Sequence, residues 1–184
     1  MKHLRTAPLA AVCLSVLGLT ACSSTGMHSM YSQAELPAAV QVPAGHKVAM
    51  ETVGVGQITY ECKTKKDMAS EHEWVFIGPD AKLQTRSGAV IGKYWGPPAT
   101  WENNDGSKVT ATQVAVAPAG AGNIPLQLVK ANPASGMGAM QGVSYIQRVA
   151  TKGGVAPAMA CGPTNLASKQ VVQYQADEIF WQAV

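Results

Sequence analysis

Apolar and polar residues alternate in short runs over most of the chain. Val48, Met50 and Thr52 fall on one side of an extended backbone, and Ile58, Tyr60 and Cys62 do the same against Gln57, Thr59 and Glu61. A period of two marks a half-buried strand. The same pattern predicts strands over 72–77, 82–85, 88–94, 108–116, 125–129, 142–149, 170–174 and 178–181. Turn chemistry separates them: Gly78-Pro79-Asp80, Arg86-Ser87-Gly88, Asn103-Asn104-Asp105-Gly106 and Asn132-Pro133-Ala134-Ser135-Gly136 supply residues that fix a turn or tolerate positive φ. No window keeps a helical period for three turns, so any helix is short, with 165–169 as its place. The expected architecture is a single all-β domain over 38–184, a sandwich or partly closed barrel of nine or ten short antiparallel strands.

The first 37 residues depart from this pattern. A basic start, Met1-Lys2-His3-Leu4-Arg5, precedes an apolar run over 7–19, which is the layout of a secretory signal. That run is shorter than the roughly 20 residues a membrane-spanning helix requires. It ends in Leu19-Thr20-Ala21-Cys22, which resembles the bacterial lipobox. The resemblance implies cleavage after residue 21, a diacylglycerol on the Cys22 thiol and further acylation of its amine, an anchor of several chains that is effectively permanent. Ser23 follows, where an Asp would favour inner-membrane retention, so the expected location is the cell envelope, at the outer membrane facing the periplasm or the cell surface. Residues 22–37 are small, polar and without period, and read as a tether carrying the lipidated Cys22.

Loss of the signal changes the charge. The whole chain carries +3, but Lys2 and Arg5 leave with residues 1–21, and twelve basic against eleven acidic residues give the mature protein +1. A balance this even offers no basic face for nucleic acid, and none is expected as a partner. Of the four cysteines, Cys13 lies in the signal and Cys22 takes lipid. Cys62 and Cys161 are left, and in an exported chain the favoured reading is one disulfide between them, with free thiols or a metal pair as alternatives.

Candidate chemistry concentrates over 92–107. Trp95 and Trp101 lie there beside Glu102 and Asp105, and aromatic faces flanked by carboxylates suit a sugar ring. The competing reading makes Trp101 an end plug of the domain and Asp105-Gly106 a hairpin turn. Glu102 and Asp105 are also the one pair that could serve a glycan hydrolase. Arg148 precedes Thr151 and Gly153-Gly154, a corner where it could meet a ligand or pair with a carboxylate such as Asp177. No cofactor motif or metal set is expected. Glu71-His72-Glu73 alternates faces, and Met27-His28-Ser29-Met30, with Met137 and Met140, is a weak soft-ligand pointer. The expected function is a lipid-anchored binding or structural module with a glycan or another envelope protein as partner.

The stretch 94–107, the run Ile146-Gln147-Arg148-Val149-Ala150-Thr151-Lys152-Gly153-Gly154-Val155-Ala156-Pro157, Cys161 and the ending Tyr174-Gln175-Ala176-Asp177 with Phe180 resemble an uncharacterised domain family of exported bacterial and fungal proteins. The resemblance covers 38–184 and implies no activity or cofactor. The chain departs from the family pattern at Lys93, where a His is usual, and in the longer spacing between Gly96-Pro97 and Trp101.

Overall fold

A computed structural model describes residues 31–184. The signal, Cys22 and residues 23–30 of the tether, with Met27 and Met30, lie outside the described residues. Eight strands form one antiparallel sheet: β1 His46–Lys65, β2 Met68–Gln84, β3 Val90–Trp95, β4 Thr100–Asn103, β5 Lys108–Ala117, β6 Leu126–Ala131, β7 Val143–Gly153 and β8 Lys169–Ala183. Each strand pairs with its neighbours in the chain, and β8 pairs back onto β1 to close the ring. Closure gives most of the sheet a neighbour on both sides, although β2 before Asp80 and the far half of β5 are paired on one side alone. The short helix expected at 165–169 is a single 3-10 turn, Pro163–Asn165.

The strands are fewer and longer than the alternation predicts, because three expected breaks are bridged. β1 runs through Gly54 and Gly56, β8 through residues 175–177, and β2 through Gly78-Pro79. Pro79 is tolerated because it lies one residue beyond the last β2–β3 pair, Asp80 with Trp95, at a register shift that leaves Ile77 out of the ladder. Gly56 permits β1 and β2 to approach closely, since a Cβ there would run into the Asp80 carbonyl. Asp105-Gly106 does form the β4–β5 turn, with Gly106 at φ +86°.

Two apolar clusters hold the ring. Ile58, Leu83, Tyr94, Trp101, Val129, Ile146, Tyr174 and Phe180 fill its interior, with Tyr94 and Trp101 stacked at 4.5 Å. Val40, Val42, Leu128, Val149, Ile179 and Trp181 form a second cluster on the outer face, joined by Tyr31 and Leu36. Residues 31–36, which the sequence assigns to the tether, therefore lie against the domain. Gln147 fastens them: it donates to the Val40 carbonyl and to Gln33 and accepts from the Trp181 indole N–H and the Tyr31 hydroxyl.

The two ends of the ring differ. At one, the β6–β7 loop packs the fully buried Met140 into the interior cluster. Asp105 accepts the Ala139 amide at 2.7 Å and the Ser107 hydroxyl accepts the Met140 amide at 3.1 Å, so the β4–β5 turn pins this plug. At the other end, Cys62 of β1 is bridged to Cys161 of the β7–β8 connection. Cys62 is buried, and the long connection is thereby tied to the rising β1–β2 hairpin.

Candidate functional site

The inner face of the sheet is apolar along β1 and β8, where Ile58, Tyr60 and Tyr174 with Ile124 carry the interior cluster toward the Cys62 end, and turns polar on β5, β6 and β7. β4 is only four residues long and pairs with β5 from Glu102–Lys108 to Thr100–Thr110, so the far half of β5 has no neighbour on that side. Val109 and Ala111 belong to the interior cluster, and the next inward position is Gln113. On the adjoining strands Val129 and Ile146 are paired inside the ring, and two residues along the same faces Gln127 is paired with Arg148. The Gln127 amide donates to the Gln113 side chain at 2.6 Å. The Arg148 Nε and Nη2 donate to the Pro125 carbonyl at 3.3 and 3.1 Å. Tyr60, whose hydroxyl donates to the Gly154 carbonyl, lies within the field of Arg148 and packs edge-on against Phe76, which is 51% exposed. The mouth thus presents an arginine, two amides and the exposed Phe76 ring at its rim, over an interior closed by Tyr60, Ile124 and Gly154.

Glu178 lies behind this mouth. It alternates with Tyr174, Ala176 and Phe180 on the inward face of β8, pairs with Arg148 across β7–β8, and is 1% exposed. Neither carboxyl oxygen has a hydrogen-bond partner within the protein, and the same holds for the buried Trp101 indole nitrogen and the Tyr174 hydroxyl. Burial pushes the Glu178 carboxyl up to about 8, and the nearby Arg148 charge and Trp101 N–H offset only part of that rise. At neutral pH the group is mostly protonated, which avoids the cost of an unpaired buried charge.

A stability consequence follows from the sign of this shift. The folded protein holds the Glu178 proton to about pH 8 and the unfolded chain releases it near the ordinary glutamate value of 4.5. Stability should therefore fall between those limits as pH rises, by at most about 1.4 kcal/mol per unit, and this contribution should level off above pH 8. Urea unfolding of the parent protein and Glu178→Gln across pH 5–8.5 checks this. The variant should lack that slope, and equal slopes would contradict the assignment.

The residues singled out in the sequence do not converge. Trp101, 2% exposed, is an interior side chain, because it alternates inward and stacks on Tyr94; it offers no free face to a sugar. Trp95 points outward and is half-buried, with the Lys93 ammonium 4.8 Å over its ring. Glu102 lies on the same outer face between Lys93 at 3.5 Å and Lys108 at 3.6 Å. Asp105 accepts from the Ser107 amide and hydroxyl and from the Ala139 amide, and these bonds, the hydroxyl's foremost, hold its carboxyl below the usual range. Asp105 therefore cannot supply the protonated acid of a glycosidase at neutral pH. Arg148 does not pair with Asp177, which points outward and is engaged by Arg86 at 3.1 Å.

The Ile-Gln-Arg-x-x-Thr-x-Gly-Gly run is explained by placement. Ile146 and Arg148 face inward and Gln147 outward, the Thr151 hydroxyl donates to the Ile124 carbonyl, and Gly153 donates to the Asn123 side chain. Positive φ at Ala150, Gly153 and Gly154 bends the end of β7 over the mouth. A family model described as a protein of unknown function, DUF3455, matches residues 43–182, from just before β1 to the end of β8. The chain belongs to the DUF3455 family. No curated protein and no solved structure matches it. In this DUF3455 domain Arg148 is the one mouth residue that also stands among the sequence candidates. Gln113, Gln127 and Glu178 could have been found by extending the alternation of their strands to the positions where a polar residue takes an inward turn.

Proposed function

We propose that the protein is a lipid-anchored, non-catalytic binding module of the cell envelope that takes a polar ligand, a polysaccharide end or branch, at the open mouth of its ring. One observation carries this reading: Met140 fills the inward face at one end, whereas at the rim of the other Gln113, Gln127 and Arg148 keep polar groups accessible and the Phe76 ring is exposed beside the buried Tyr60. Guanidinium and amide groups supply hydrogen bonds to hydroxyls, and an exposed ring supplies a stacking face, which is the mix of polar and apolar groups that ligand sites use. The outer strip of Trp95, Lys93 and Glu102 is a weaker platform, since Lys93 already covers the Trp95 ring.

Binding of solubilised envelope glycan to the mature protein tests the reading. Phe76→Ala and Arg148→Gln should each weaken it at least tenfold with little change in melting temperature, while Trp95→Ala leaves it intact. Loss on Trp95→Ala alone would move the site to the outer strip. The anchor has its own test: Cys22→Ala should abolish metabolic labelling with palmitate, and labelling equal to the parent would refute lipidation.

A further inference from the structure

Arg148 is half-buried inside the ring, and among the described residues no carboxylate lies within 4 Å of it. Its one acceptor is the Pro125 carbonyl, which engages Nε and Nη2 and leaves the rest of the fork free. Behind it the Tyr174 O–H is an unpartnered donor, and the Trp101 N–H faces Glu178. A half-buried guanidinium without a counter-ion, backed by neutral donors, is matched by a planar anion and by no neutral group equally well. We infer that the ligand of the mouth carries a carboxylate that Arg148 binds, and that Glu178 is the protein's own competing carboxylate, silent while protonated and displacing the ligand once ionised. This rests on the mouth being the binding site.

The surroundings of Glu178 support competition. It faces Thr52 and Gly54 of β1, Tyr94 of β3, Trp101 of β4 and Arg148 of β7, with Tyr174 on its own strand. Asp177 lies on the opposite face, held by Arg86. Arg148 is the one cation in that set, and beside the neutral Trp101 N–H it is the group an ionised Glu178 draws on. A ligand carboxylate and an ionised Glu178 therefore draw on the same guanidinium and repel one another across it, so each weakens the other's hold. Since Glu178 titrates near 8, the apparent dissociation constant should rise about tenfold between pH 6.5 and pH 9.

Calorimetric titration with trigalacturonate, and at pH 6.5 with its fully methyl-esterified counterpart, tests this on the mature protein. The acid should bind at pH 6.5 at least tenfold more tightly than the ester and lose about tenfold by pH 9. Glu178→Gln should hold the pH 6.5 affinity at pH 9, and Arg148→Gln and Arg148→Lys should both weaken binding, the latter because it keeps charge without the fork. Equal binding of acid and ester, or an undiminished loss at pH 9 in Glu178→Gln, would overturn the inference. If both trimers bind equally and Phe76→Ala still weakens both, the mouth stands and only the anion preference falls. Binding indifferent to Phe76→Ala and Arg148→Gln would overturn both readings.

Discussion

Replacing Trp101 by Ala should cost about 3 to 5 kcal/mol of stability. Trp101 is nearly fully buried, stacks on Tyr94 and is paired with Tyr94 on β3 and Val109 on β5. It is also the one interior-cluster residue of β4, a strand of four residues with little else to hold it in the ring. Its removal leaves a cavity under Tyr94 that the closed sheet cannot collapse to fill. Denaturant unfolding of Trp101→Ala beside Trp95→Ala checks the contrast. Trp95 is outward and half-buried, so its loss should be well under half as costly, and equal losses would contradict the inward assignment of Trp101.

Opening the Cys62–Cys161 bridge should cost about 2 to 4 kcal/mol, which for a domain of this size lowers the melting temperature by roughly 5 to 15 °C. The bridge spans 99 residues and anchors the β7–β8 connection to β1. Without it the reduced chain gains loop entropy, and the connection is left with weak local ties such as the Trp74 indole bond to the Met159 carbonyl and the backbone bonds of Ser168 and Ala167 to Cys62. A Cys62→Ala, Cys161→Ala double variant measured beside the reduced parent separates the loss of the link from the burial of new thiols. An unchanged melting temperature in both would remove the bridge from the account of stability.

These outcomes bear on what the sequence made legible. The all-β character and the Cys62–Cys161 pairing follow from alternation and from cysteine bookkeeping, both local or compositional signals. Strand length was not legible, because Gly78-Pro79 has the local chemistry of a turn and is overridden by the extended pairing of β1 with β2. Asp177-Glu178 shows the same limit at the site. Two adjacent acids look like a solvated pair, yet β8 is continuous, so one side chain goes outward to Arg86 and its neighbour inward behind Arg148. Trp101 and Asp105 drew attention by composition, and their pairing partners give both to the architecture: one fills the ring, the other pins its plug. Arg148 alone among the sequence candidates faces the mouth, although its acceptor is Pro125 and not Asp177.

The central claim is that ligands meet the inner face at the open end and not the outer strip. Backbone chemical-shift mapping of the isotope-labelled mature protein during titration with solubilised envelope glycan tests it most directly. The account predicts perturbations clustered at Phe76, Gln113, Gln127 and Arg148, spreading inward to Glu178. Perturbations confined to Lys93, Trp95, Glu102 and Lys108, with the inner face unmoved, would contradict it.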